Sequence, residues 1–369
     1  MKKIIFVITS LGPGGAERVF ANILNRIDKD KFDVTLAIGV KKGPFLSMVP
    51  EGVNVVELSG SNKASKSVVP LLRLIYKIKP DIVFSTLGMV SSSSLCSFFV
   101  GKKIRFIARF GNTLSADLNR VKKESFFKYI FQKCSYKLVL LRSEIVTQSS
   151  YMKNDMIHYF NYKEESKIHV IYNPAPIPVT RIKSKVENRK VKLISVGRFS
   201  WQKGYDILLD ALKIVIDNGY NIDFKFIGDG DDKNSLVKQC ERLEIIKYVS
   251  FSGFQKQPFV FAHDADIFIS SSRFEGFANV IVESLANGIP VVATDCPSGN
   301  REIINDGING WLSSMSGDVT NNLASTIMLA IDSYKDLDME CEKSKVLDKF
   351  SIESIVNDYE SIFLGTNNG

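Results

Sequence analysis

Twice along this chain, short runs of β-branched and aromatic residues alternate with amphipathic helical stretches, and a proline-rich break, Asn173-Pro174-Ala175-Pro176-Ile177-Pro178, separates the two series. Such alternation builds parallel sheets covered by helices, because parallel neighbours need a long crossover to return to the same edge. The first series contains the strand-like runs KIIFVI, FDVTLAIG, VNVVEL, DIVFS, IRFIAR, EIVTQSS and KIHVIYN. The second contains VKLISVG, FKFIGDG, YVSFSG, DIFIS and IPVVAT. A length of 369 residues is too great for one ordinary core. The pattern therefore predicts an α/β protein with two Rossmann-like domains facing each other across a cleft, 1–176 and 177–348, joined through the prolines and the charged stretch RIKSKVENRK.

No apolar run reaches the roughly 18 residues needed to span a bilayer. The opening MKKIIFVITSLGPGG reads as a first strand before a glycine turn rather than as a signal peptide. Five cysteines, Cys96, Cys134, Cys240, Cys296 and Cys341, stand at irregular spacing without a C-x-x-C pair, which suggests a reducing compartment and no structural zinc. A formal net charge of +8 favours acidic partners: nucleotide phosphates, nucleic acid or anionic lipid. Residues 119–138, NRVKKESFFKYIFQKCSYKL, interleave lysines with aromatics. They read either as a core helix with a solvated basic face or as an interfacial helix on anionic lipid. No nucleic-acid-reading module surrounds them.

The residues with chemistry concentrate at 266–294. There DIFIS and IPVVAT bracket a loop containing Glu275 and a short helix containing Glu283, eight residues later. Asn287-Gly288 and Pro290 stop that helix, so Glu283 falls near its middle and Glu275-Gly276-Phe277 leads into its start. A helix start suits phosphate and paired carboxylates suit sugar hydroxyls, a combination that a nucleotide sugar presents. In the first half, Gly12-Pro13-Gly14-Gly15 follows the first strand but is not G-x-G-x-x-G; it is either a plain tight turn or a loop that lets a ligand approach Gly14 and Gly15 closely. Arg109 and Asn112, where IRFIAR ends, are further candidates by their position. Two D-x-D strings, Asp229-Gly230-Asp231 and Asp264-Ala265-Asp266, read as a turn and a strand entry rather than as metal ligands, and Gly228 and Gly230 are placed near a nucleotide base.

Taken together and in order, VGRFSWQKG, FIGDGDD, SSSRFEGFANVIVESLANGIPVVATD and NDGINGWL resemble the carboxyl-terminal domain of glycosyltransferase family 4, retaining enzymes of the GT-B fold. GPGGAERV is similar to the start of bacterial members that build surface polysaccharides. The likeness is strong over 1–27 and 191–312 and weak between about 40 and 170. It implies that Arg198 and Lys203 neutralise a departing diphosphate without a metal. Glu283 would hold the ribose and Glu275 would face the donor sugar, with Gly276, Phe277, Ala278, Asn279 and Val280 completing the grip. It also implies that the final amphipathic segment, within 349–369, returns to the first domain. Many family members place a histidine where this chain has Phe110 or Gly111, leaving Arg109 and Asn112 as the nearest replacements.

The implied activity is retaining transfer of a hexose or N-acetylhexosamine from a UDP-sugar to a lipid-diphosphate-linked glycan, in O-antigen, capsule or related synthesis. No cofactor is called for. Attack would come from the leaving-group face, with a phosphate oxygen as base. The expected location is cytoplasmic, peripheral on the anionic inner membrane face, with 119–138 as the candidate contact. The alternatives are a nucleotide-sugar epimerase of the same fold and a non-catalytic anionic-lipid-binding protein.

Overall fold

The computed structural model describes residues 1–179 and 189–366, so most of RIKSKVENRK lies outside the described residues. The chain divides into two compact units, Met1–Pro174 with Ile352–Gly369, and Ala175–Ser351. The first unit begins β1 (Lys2–Ile8), α1 (Gly15–Arg26), β2 (Phe32–Ile38), β3 (Asn54–Glu57), α2 (Val68–Ile78), β4 (Ile82–Thr86) and α3 (Met89–Cys96). It continues with β5 (Arg105–Arg109), α4 (Leu114–Glu124), α5 (Phe126–Arg142), β6 (Glu144–Thr147), α6 (Ser150–Phe160) and β7 (Ile168–Val170). Its seven strands lie in the order β3-β2-β1-β4-β5-β6-β7, with every pairing parallel.

Strand β1 shows why this sheet is covered on both faces. Ile4, Phe6 and Ile8 pack with Val19, Phe20 and Leu24 of α1, whereas Ile5 and Val7 pack with Leu71 and Ile75 of α2 and Met89 of α3. Alternation of period two thus feeds two cores, and a strand buried on both sides reads as a continuous apolar run.

The second unit runs β8 (Val191–Val196), α7 (Tyr205–Asp217), β9 (Ile222–Ile227), α8 (Lys233–Arg242), β10 (Val249–Phe251), α9 (Pro258–Phe261) and β11 (Ile267–Ser270). It ends with α10 (Asn279–Ala286), β12 (Val291–Thr294), α11 (Asn300–Ile303), β13 (Gly310–Ser313), α12 (Val319–Ser333) and α13 (Met339–Lys349). The order is β10-β9-β8-β11-β12-β13, again parallel. Helix α14 (Ile352–Leu364) then packs in the first unit. Its Phe363 ring meets Phe6, Phe32 and Phe84 at centroid distances of 6.1, 6.0 and 5.3 Å. Lys2 Nζ closes its last turn by donating to the Phe363 and Leu364 carbonyls at 3.1 and 2.9 Å. In the second unit the two segments nearest the crossings are tied together: the Ala175 amide donates to the Phe350 carbonyl at 2.7 Å.

Residues 119–138 do not form one helix. Ser125 is extended, at φ −162° and ψ 122°, and caps α5 by accepting from the Lys128 amide at 3.4 Å, so the stretch divides between α4 and α5. Nor is α5 a core helix with all of its aromatics inside: Tyr129 is buried, but its phenylalanines are not. Phe127 and Phe131 are 87% and 78% exposed, and Phe126, Ile130 and Leu141 are also exposed. Its inward side buries Tyr129, Val139 and Leu140 and is tied to α4 by polar bonds: Gln132 Nε2 and Tyr136 Oη donate to Asp117 Oδ2 at 2.6 and 2.9 Å.

At the amino edge of the first sheet, Arg105 makes two bonds of 2.7 Å to the Glu144 carboxylate, and His169 Nε2 lies 3.6 Å away. Burial works to raise the Glu144 pKa, but the bonds from His169 and Arg105 outweigh it and hold the group at about 2. A depressed carboxylate stabilises the fold above its unfolded value near 4.5 and loses that contribution as pH falls towards 2. Glu144→Gln should therefore cost about 1–2 kcal/mol at neutral pH, discounted for partial solvation, and flatten acid unfolding of this unit between those limits. Urea titrations at pH 7 and pH 3 check this; an equal deficit at both would sink the assignment.

Candidate active site

In each sheet the strand order reverses once, between β1 and β4 in the first and between β8 and β11 in the second. Loops leaving the carboxyl ends of such neighbours diverge to opposite faces and open a crevice, where ligands of α/β sheets bind. In the second unit the loop after β8 carries Arg198 and Lys203, and the loop after β11 carries Glu275. Two sequence features separated by about 70 residues are thereby adjacent strand ends.

The contact between them is direct. Lys203 Nζ donates to Glu275 Oε1 at 2.7 Å, Ser272 Oγ donates to the same oxygen at 2.8 Å, and Gln202 Nε2 reaches Oε2 at 3.4 Å. Glu275 is only 7% exposed, so its charge is held by an ammonium and two neutral donors. Two glycines make the approach possible. A Cβ on Gly197 would fall 3.1 Å from Lys203 Cε and 2.8 Å from the Tyr205 hydroxyl. Gly204 stands at φ +62°, and a Cβ there would lie 2.1 Å from the Ser271 carbonyl oxygen. This is the physical content of the G-R-x-x-x-x-K-G spacing. Arg198 is exposed and makes no ion pair or hydrogen bond among the described residues.

Five side chains that the sequence reading passed over hold this arrangement. Arg273 forms a two-bond pair with Asp206 at 2.8 and 2.6 Å, lies 4.8 Å from the Trp201 ring centroid and donates to the Trp201 carbonyl, locking the β8 loop to the β11 loop. Ser272 and Gln202 complete the Glu275 shell. The signal lay in the motifs themselves: an acid just past Lys203-Gly204 and an arginine two residues before Glu275 are complementary charges on converging loops.

The loop after β12 closes the third side. The Glu275 amide donates to the Pro297 carbonyl at 3.1 Å, and the Gly299 amide to the Gly276 carbonyl at 3.2 Å. Gly276, Phe277 and Ala278 thus pass beneath the 297–299 loop into α10, whose first turn holds Asn279 and Val280. Glu283 lies on α10 and is 9% exposed. Burial pushes the nearby Cys296 thiol up to about 11, which keeps it neutral and unsuited to nucleophilic attack. Gly228 and Gly230 press on the β8 loop: added Cβ atoms would meet the Gly197 and Phe199 carbonyl oxygens at 1.9 and 2.3 Å. Asp264 and Asp266 are ion-paired to Lys192 and Arg189 at the amino edge of β11.

In the first unit Gly14 and Gly15 stand where β1 gives way to α1, and the Glu17 carboxylate folds back against Gly14. A Cβ added at Gly111, beside Asn112, would lie 3.9 Å from the Ala16 methyl, so the loop after β5 and the start of α1 are neighbours. Arg109 does not join them, and its candidacy is corrected. It is 1% exposed, and its guanidinium donates to the Tyr359 hydroxyl at 3.2 Å, the Thr86 hydroxyl at 3.4 Å and Asn173 Oδ1 at 2.6 Å. Those bonds turn it inward, where it ties α14 and the segment before Pro174 to the end of β5. Phe110 is buried against Tyr136 and offers no polar group in the family histidine's place.

Two family models match this chain: Glycosyltransferase Family 4 over residues 13–177 and Glycosyl transferases group 1 over residues 176–344. The chain belongs to glycosyltransferase family 4. An uncharacterized glycosyltransferase of Haemophilus influenzae is 25% identical, with 98% of this chain and 100% of that protein covered. A Campylobacter jejuni enzyme named N-acetylgalactosamine-N,N'-diacetylbacillosaminyl-diphospho-undecaprenol 4-alpha-N-acetylgalactosaminyltransferase is 29% identical over 85% of this chain and 86% of its own length. Among solved structures, Anabaena HepE in complex with UDP-glucose matches at TM-score 0.81 and 20% identity, covering 99% of this chain and 100% of that one. The fold is GT-B. This glycosyltransferase stands among those of bacterial lipopolysaccharide, capsule and related polysaccharide synthesis. The epimerase and the non-catalytic lipid binder considered from the sequence give way to it.

Proposed function

We propose that this family 4 glycosyltransferase moves a hexose or N-acetylhexosamine, with retention of anomeric configuration, from a UDP-sugar to a lipid-diphosphate-linked oligosaccharide. One observation carries the reading: the pair of half-buried Lys203 and buried Glu275 at the β8–β11 switch point. A diphosphate entering there draws the Lys203 ammonium to itself, and Arg198 adds a second cation to the leaving group. Glu275, released from Lys203, accepts hydrogen bonds from the donor sugar while Ser272 keeps its carboxylate in place. Glu283 takes the ribose hydroxyls, and the backbone from Gly276 to Val280 lies along sugar and phosphate. No metal or cofactor is assigned to these steps. The acceptor hydroxyl attacks from the leaving-group face, and a phosphate oxygen takes its proton.

UDP is supported by the HepE complex and a lipid diphosphate by the name of the Campylobacter relative. No helix of the described residues is long and apolar enough to cross a membrane. The outward apolar side of α5 suits contact with the bilayer surface that holds such an acceptor, on the cytoplasmic face. The test supplies labelled UDP-sugars with a lipid-diphosphate-linked acceptor in the presence of a chelator and reads the anomeric coupling of the product by NMR. Transfer from one UDP-sugar with retained configuration is expected. No transfer, an inverted product, or abolition by the chelator would overturn the corresponding part.

A further inference from the structure

Helix α5 turns an apolar stripe to solvent. Phe127, Ile130, Phe131 and Leu141 recur at helical spacing on its exposed side over roughly 21 Å, flanked by Lys128, Lys137 and Arg142, and the helix contains no Asp or Glu. The stripe does not stop at Leu141. The Arg142 guanidinium sits 4.4 Å from the Phe98 ring centroid and donates to Ser97 Oγ and the Ser97 carbonyl at 3.1 and 2.8 Å. The exposed rings of Phe98 and Phe99, just past α3, therefore extend the same face.

A cavity of about 240 Å³ opens beside these rings, lined by Lys102, Arg105, Leu141, Arg142, Glu144 and Lys167 among others. Four cations and one carboxylate line it; that carboxylate is taken by Arg105, and Lys167 pairs with Glu164 at 2.7 Å just outside the lining, which leaves Lys102 and Arg142 without an acidic partner among the described residues. Lys102 is exposed and has no partner among the described residues. Arg105 and Glu144 open β5 and β6, so the cavity is at the amino edge of the sheet, about 13 Å of strand from its carboxyl edge and Gly14. It is not the reacting site.

We infer that this cavity binds the phosphate of an anionic membrane lipid while Phe98, Phe99 and Leu141 enter the acyl boundary around it. The inference rests on the membrane-facing reading of α5 given above. A bilayer presents phosphate directly above hydrocarbon, and here cations adjoin exposed apolar rings in the same order. A soluble phosphate ligand needs no apolar rim. A second copy of this face would set Lys128, Lys133, Lys137 and Arg142 against the same cations.

Flotation of the full chain with phosphatidylcholine vesicles, and with the same vesicles containing phosphatidylglycerol, tests the inference. Lys102→Glu/Lys167→Glu should lower partition onto the anionic vesicles on the order of tenfold or more. Lys29→Glu/Lys41→Glu, an equal charge change at exposed positions near β2 on the other side of that sheet, should lower it by about threefold or less. Lys102→Glu alone keeps the test open if the double variant unfolds. Equal effects of the two pairs overturn the cavity. Flotation unchanged in Phe127→Glu/Phe131→Glu overturns instead the underlying reading of α5. Displacement of the wild type by millimolar inorganic phosphate, with matching thermal stabilisation in the absence of vesicles, overturns the lipid assignment.

Discussion

Lys203→Ala and Glu275→Gln should each lower kcat by about 10²–10³-fold, while the double variant falls only about tenfold further than the worse single one. The argument comes from the bond they share. Lys203 Nζ and Glu275 Oε1 are 2.7 Å apart in the β8–β11 crevice, so either change removes the same interaction in the empty enzyme and unpairs its partner. In the reaction their tasks separate. On the proposed mechanism Lys203 meets charge that grows as the diphosphate departs, whereas Glu275 meets the sugar whose bond is breaking. Calorimetry with UDP alone should distinguish them. Lys203→Ala loses a charge-assisted phosphate contact and weakens UDP binding by roughly ten- to a hundredfold, in line with about 1.5–3 kcal/mol for such a bond. Glu275→Gln leaves UDP affinity within about threefold, since UDP carries no hexose. The side-chain amide still fills the Glu275 space between Ser272 and Gln202, so its melting temperature should stay close to wild type. Full activity in either variant, or additive losses of the two, would remove this pair from the chemistry.

The second large effect is on stability. Phe363→Ala should destabilise the first unit by about 3–5 kcal/mol, the usual cost of deleting a buried aromatic ring and leaving a cavity. Phe363 is fully buried and touches Phe6, Phe32 and Phe84, which belong to three strand segments of that unit's sheet. A ring deleted there leaves a hole bounded by a sheet that cannot shift to fill it. At roughly 2–4 °C per kcal/mol for a unit of this size, the corresponding transition should move down by about 10 °C. Differential scanning calorimetry resolves whether one transition moves. A shift below about 2 °C would mean that α14 is an accessory to this core rather than part of it.

Much of this architecture was legible because period-two burial on both faces of a parallel strand leaves a conspicuous apolar run. KIIFVI, VKLISV and IPVVAT could hardly be anything else. The Lys203–Glu275 meeting was legible only in part. The motifs named both residues, but their contact depends on β8 and β11 being neighbours, a fact of topology that no local spacing contains. Arg109 misled because a strand end is the right place for a site residue. Its side is decided by alternation along β5: Ile107 faces the core that holds Tyr359, and Arg109, two residues on, faces the same way. Helix α5 carries more apolar surface than its core side can take: Tyr129, Val139 and Leu140 are buried while Phe127, Phe131 and Leu141 stay exposed. Asp117 on α4 accepts from Gln132 and Tyr136 on the inner side, a pairing between two helices that no local spacing announces, and Ser125 marked the helix boundary as a serine cap ahead of an apolar run.

The placement of α14 also sets a schedule. The first unit owns residues on both sides of the second, so a ribosome must finish Ala175–Ser351 before Ile352–Leu364 exists. At typical synthesis rates that interval is roughly ten to thirty-five seconds. Throughout it Phe6, Phe32 and Phe84 lack the Phe363 ring that packs against them, and Arg109 lacks the Tyr359 hydroxyl. The second unit, continuous in the chain, can complete its core during translation. The first, although started earlier, is finished last and leaves apolar surface uncovered in the meantime.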